Sequence, residues 1–201
     1  SEAAFLANGF DFADVVTSSS AVTAGGTSIT GAESALTDLT SGAGGTAGAG
    51  TGLTVSLAGT TAASGTIIDG TAATALASFN LTAANDGAVK VTTIKIKRTG
   101  ITADSTLSAV YLYDGSTRLT DSASVSSGYA TFTNASGIVT VPAGTTKTIT
   151  VKSNIADSTA GQTVGVAINA ASDVTTDGAS VSGSFPVSGN TMSILALHWE
   201  P

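Results

Sequence analysis

The chain has 201 residues, no cysteine, 24 glycines and a formal net charge of −7 with only seven Lys and Arg. So few cations cannot neutralise a phosphate backbone, which excludes nucleic-acid binding, and the lack of cysteine excludes disulfides, thiol nucleophiles and zinc–thiolate sites. A mean hydropathy of +0.35 argues against intrinsic disorder, and no apolar run approaches the roughly 20 residues of a membrane-spanning helix.

Serine and threonine make up about 30% of the chain, and charged residues only 10%. Hydroxyls therefore take the solvating role that Lys and Glu fill in most cytosolic proteins, a habit of secreted and surface-layer proteins. The first ten residues, SEAAFLANGF, lack the cationic start and apolar core of a signal peptide. Ser1 is therefore read as a mature or fragment start, with any export signal already removed.

Residues 1–41 contain no base and are expected to form an arm or assembly segment. Phe5, Leu6, Phe10, Phe12, Val15 and Val16 give it apolar groups that so short a segment cannot bury alone. They are candidates for packing on the rest of the chain, or for adding a strand to a neighbouring copy. Thr30-Gly-Ala-Glu33 has the spacing of a capping box, and Ala35, Leu36 and Leu39 would give a short helix an apolar side. Residues 42–52, GAGGTAGAGTG, read as a flexible linker.

From 53 to 194, short strand-like runs recur, separated by turn signals. Ala77, Phe79, Leu81 and Ala83 alternate with Ser78, Asn80 and Thr82, the pattern of a half-buried strand. Asn85-Asp86-Gly87 is a turn. In Val89–Arg98 the apolar parity shifts from Val89 and Val91 to Ile94 and Ile96, which predicts a β-bulge near Thr92-Thr93. Leu107–Tyr113 is apolar on both faces and suits a central strand. Asp114-Gly115 then turns the chain into a strand over Ser116–Val125. Further strands are expected at Tyr129–Thr133, Ile138–Val141, Thr146–Ile155, 164–170, Ala179–Val187 and 191–197, the last running into a tail at 195–201. No long amphipathic helix is present for a βαβ fold. The fold class expected is all-β: an antiparallel Ig-like or Greek-key β-sandwich with an N-terminal arm containing a short helix.

Five segments in this order, Ala77-Ser-Phe-Asn-Leu-Thr-Ala83, Val110-Tyr-Leu-Tyr-Asp-Gly115, Val141-Pro-Ala-Gly-Thr-Thr-Lys147, Ile168-Asn-Ala-Ala-Ser-Asp173 and Val181-Ser-Gly-Ser-Phe-Pro-Val187, lie within a stretch of about 140 residues. That stretch resembles a domain of surface proteins of Candidate Phyla Radiation bacteria. The resemblance implies an Ig-like β-sandwich in a secreted, wall-associated or S-layer-type protein, and it brings no catalytic signature with it.

The residues themselves offer little for catalysis. The single histidine, His198, lies in the terminal tail beside Trp199, and no Gly-x-Ser-x-Gly elbow is present. Asp69, Asp86, Asp114 and Asp177 each precede glycine and read first as turn formers. Calcium is the one cofactor to weigh, through Asp173 with Asp177 or Asp86 with Asp104, although no Asp-x-Asp-x-Asp-Gly loop appears. Tyr111 and Tyr113 share a strand face, and are candidates either for stacking on a sugar ring or for cross-strand packing. Asn80-Leu-Thr82 and Asn134-Ala-Ser136 match the N-glycosylation pattern. The expected function is a structural, extracellular cell-surface subunit whose partners are copies of itself in a layer or filament. The alternatives are a monomeric spacer and an adhesin or glycan-binding module contacting cell-wall or surface glycans.

Overall fold

The computed structural model describes residues 23–24, 27–28 and 49–196. The chain divides into two compact units, 1–46 and 47–201. In the first, β1 (Thr23–Ala24) pairs antiparallel with β2 (Thr27–Ser28). The helix expected after Thr30 and the six apolar arm residues Phe5, Leu6, Phe10, Phe12, Val15 and Val16 lie outside the described residues, as do His198 and Trp199.

The second unit is all-β. In chain order its strands are β3 (Gly52–Leu57), β4 (Thr66–Ile68), β5 (Thr74–Ala83), β6 (Val89–Thr99), β7 (Leu107–Asp114), β8 (Thr117–Arg118), β9 (Tyr129–Thr133), β10 (Val139–Val141), β11 (Thr146–Ile155), β12 (Thr163–Ile168), β13 (Val174–Thr176), β14 (Ser180–Gly183), β15 (Val187–Ser188) and β16 (Met192–Leu195). Two single 3-10 turns, Asp104–Thr106 and Ala171–Asp173, lead into β7 and β13.

One sheet has the order β14-β3-β5-β11-β7-β8. The other is organised around β6, which spans roughly 33 Å at the usual strand rise. Short strands flank it on both sides: Ile94 pairs with Phe132 of β9 and Val174 of β13, while Val91 pairs with Val139 of β10 and Thr176 of β13. Near its far end Lys97 pairs with Tyr129 of β9 and Ala167 of β12. β12 then carries β15 and β16, and β4 closes the edge.

The bulge expected near Thr92-Thr93 is present. Thr175 pairs with Thr93 but Thr176 pairs with Val91, so Thr92 is the extra residue. It lets Val89, Val91, Ile94 and Ile96 all point inward, each at most 2% exposed. Without it, one half of the strand would present its apolar groups to water.

Three expectations are corrected. The sheets are mixed rather than antiparallel: β3 pairs parallel with β14, and β4 with β16. Parallel neighbours arise through crossovers rather than hairpins, and β14 is reached from β13 in the other sheet. The strand expected over Ser116–Val125 shrinks to β8 and a single bridge between Val110 and Ala123. There the Thr120 hydroxyl accepts the Leu112 N–H at 3.2 Å, taking the place of a backbone acceptor and ending the ladder. The strand expected over Ala179–Val187 is divided, β14 staying in the first sheet while β15 joins the second.

Both sheets share one core. Phe79, Leu81, Leu53 and Val55 of the first meet Val91, Ile94, Val166 and Ile194 of the second, all at most 2% exposed. The glycine-rich stretch ends inside this unit, because Ala49 bridges to Ala88 and Gly50 donates its N–H to the Ala88 carbonyl at 2.8 Å. Gly50 is buried, and a Cβ there would lie 2.5 Å from the Gly87 carbonyl oxygen. At the other end of β6, Gly100 has φ +95°, and a Cβ would lie 2.2 Å from the Thr163 carbonyl oxygen. Only glycine fits either approach.

Candidate functional surfaces

The outward face of the first sheet is built from hydroxyl and amide side chains at alternate positions of β3, β5, β11 and β14. Strand pairing aligns them into rows. Thr54 meets Ser182 at 3.2 Å, Thr82 meets Thr146 at 2.8 Å, and Ser78 meets Thr150 at 2.9 Å. Thr148 donates to Asn80 Oδ1 at 2.7 Å. The rows give these Thr and Ser residues a role: a hydroxyl can both donate and accept, so neighbours on adjacent strands can bond one another.

The same face carries Tyr111 and Tyr113, as expected from their parity. Each ring has a cation over it. Arg118 of β8 sits 5.0 Å from the Tyr111 ring centroid and Lys152 of β11 sits 4.3 Å from that of Tyr113. These are cation–π contacts, and they occupy ring faces on which a sugar would stack. They also explain why β7 is apolar on both sides: one side faces the core, and the other supplies rings that cover the stems of long cations. Lys147 pairs with Asp114 at 2.9 Å on the opposite side of the sheet, in register with Leu81 and Ile149.

Next to Tyr111 lies a polar groove of about 550 Å³ between Arg118–Ala123 and Thr131–Asn134. Arg118 at its rim is fixed by Asp121 at 3.0 Å and the Thr120 carbonyl at 2.7 Å. Asn134 opens onto it from an exposed turn, its Oδ1 accepting the Ser136 N–H at 3.0 Å. Of the two glycosylation patterns, then, Asn134 is on an exposed turn and Asn80 is tied into the sheet. A second groove of about 410 Å³ runs along β3 and residues 183–188, where Leu57 is 39% exposed.

The four aspartates considered for calcium lie beside two strands. Asp86 and Asp104 flank opposite ends of β6, and Asp173 and Asp177 flank β13. Each is engaged by this chain's own donors. Asp86 accepts from the Thr51 N–H and hydroxyl, and the Thr51 hydroxyl holds its carboxyl below the ordinary value of 3.8. Asp104 accepts from the Gly128 N–H at 3.0 Å and Arg98 Nε at 2.9 Å. Those two bonds, Gly128 foremost, also lower its pKa from 3.8. Asp173 accepts the N–H groups of Asn169 and Ala170, both at 3.0 Å, and Asp177 the N–H of Lys90 at 3.1 Å. Among the described residues no three His, Asp or Glu side chains converge as a metal site would require.

Sequence reasoning missed a polar network around the 3-10 turn at Asp104. Gln162, the only glutamine in the chain, accepts from the hydroxyls of Thr102 and Thr106, both at 2.8 Å. Arg98 donates to the Thr102 carbonyl at 2.6 Å. The single Gln of the chain was the one sequence signal that could have found it. No protein-family model matches this sequence, and no curated protein matches it.

Proposed function

We propose that this chain is a structural protein of a cell surface. In this reading residues 49–196 form an Ig-like β-sandwich, and the chain assembles with copies of itself into a layer or filament outside the cell. The observation that carries the reading is the set of hydroxyl rows on the outward sheet face. They join side-chain hydroxyls and an amide of neighbouring strands within the chain, which suits a building block better than a catalyst. Assembly then rests on many weak contacts at edges, repeated by symmetry. The resemblance to surface proteins of Candidate Phyla Radiation bacteria supports the same extracellular setting, and the apolar residues between Phe5 and Val16 supply the first surface to test. Negative-stain electron microscopy of the purified full chain should show ordered sheets or filaments that disappear when residues 1–41 are deleted. A full chain that stays monomeric at every concentration overturns this reading in favour of a spacer.

A second reading, a glycan-binding module, is favoured by the polar groove beside Tyr111 and Arg118. It predicts binding on a glycan array that survives deletion of residues 1–41 and is lost in Arg118→Ala. An array without a hit removes it.

A further inference from the structure

The described part of the second unit, residues 49–196, has two poles. At one, Ala84 donates to the Gly52 carbonyl, Gly144 to Ala84 and Ser180 to Thr51, at 3.0, 3.0 and 2.8 Å. At the other, Thr163 donates to the Ile101 carbonyl at 3.2 Å and Ile194 to that of Gln162 at 2.9 Å. β5 and β6 connect the two, running in opposite directions. The chain enters β3 at the first pole. β16, antiparallel to β12, runs out at the second. β3 and β16 therefore both lie along the strand direction that connects the poles, and the chain passes through from one pole to the other.

From this topology we infer that the unit bears tension along its strand direction, from pole to pole. The inference rests on the surface-structural reading, which supplies a source of pull. A force drawing the two poles apart slides β3 along both β14 and β5, and slides β16 along both β12 and β4. Every ladder bond beside those strands is then loaded together, instead of one after another as when a strand is peeled sideways. Their core side chains resist too: Leu53, Val55, Met192 and Ile194 are at most 4% exposed, and all must leave the core at once.

Both points where tension arrives are latched. Thr51 is the residue before β3. Asp86 holds its N–H and hydroxyl, and its carbonyl accepts from the N–H of Ser180 at 2.8 Å and the hydroxyl of Ser180 at 3.1 Å. At the opposite pole the carbonyl of Leu195, the last residue of β16, accepts the Asp69 N–H at 3.0 Å. The parallel partners β14 and β4 are what sequence reasoning did not foresee, and they are the strands that cover the outer flanks of β3 and β16.

The chain has no cysteine, so engineered cysteines give unique handles for single-molecule pulling of the full chain. Ala49, Ala143 and Ala196 are exposed. The pair Ala49→Cys and Ala196→Cys pulls pole from pole. The pair Ala49→Cys and Ala143→Cys has both handles at the first pole and peels β3 from its N-terminal end. With both variants melting as the parent does, the pole-to-pole pair should rupture at about twice the force of the peeling pair or more at equal loading rate, because forced unfolding follows the barrier along the pulled direction. Equal forces, or a weaker pole-to-pole pair, overturn the inference. A strong pole-to-pole response in a protein that forms no layer or filament would keep the tension-bearing unit and remove the assembly; assembly with equal forces would do the reverse.

Discussion

Asp104 illustrates how single residues hold this unit. It accepts from Arg98 of β6 and from the N–H of Gly128, joining two segments that precede β7 and β9. Because these bonds favour its ionised form, its pKa in the folded state lies below 3.8. A depressed carboxylate stabilises the fold above its unfolded pKa, and that stability is lost as the pH falls through the folded value. Urea melts of the parent should therefore weaken as the pH drops below about 4. Asp104→Asn should be less stable at neutral pH and lose part of that dependence. An unchanged pH profile in the variant would show that Asp104 contributes nothing, leaving Asp86, whose carboxyl is lowered by the Thr51 hydroxyl, as the group to test next.

Among the elements, β6 sets the architecture, and its bulge sets β6. Deleting Thr92 should realign the two halves of the strand so that either Val89 and Val91 or Ile94 and Ile96 face water. Burial of one such side chain stabilises by about 1.5–3 kcal/mol, so losing two removes much of a domain's net stability of about 5–15 kcal/mol. The expected outcome is loss of a cooperative thermal transition by circular dichroism. Substituting Thr92→Ala, which keeps the residue count, should leave the transition in place. This bulge was legible in the sequence because side-chain parity is a local property of a strand. The same parity exposed the inward set of β5 and put Tyr111 and Tyr113 on one face. Other features depend on residues distant in sequence and were not legible. Nothing around Tyr113 announces Lys152, nothing in Asp86-Gly87 announces Thr51, and the Thr120 hydroxyl that ends the β7–β8 ladder resembles any other threonine. Parallel edges were missed for the same reason, since they follow from the path between sheets.

The whole molecule distributes its acids as fasteners. Asp86, Asp104 and Asp177 each join separate backbone segments through N–H groups, two of them with a cation nearby, while Asp173 caps its own 3-10 turn. A chelator is accordingly expected to leave the melting temperature of the full chain unchanged. A fall in Tm on chelation, restored by added calcium, would show that a metal binds in competition with these contacts.

The hydroxyl rows have a consequence for the surroundings the molecule can tolerate. Surfaces laced with Lys and Glu depend on their counter-ion atmosphere, and their pairs weaken as dissolved salt rises. Here the described residues contain four ion pairs, while much of the outward sheet face is joined by neutral hydroxyl contacts on which ionic strength has little hold. A sheet surfaced in this way stays much the same in fresh water and in brine, because its order is set by strand register and not by the composition of the medium around it.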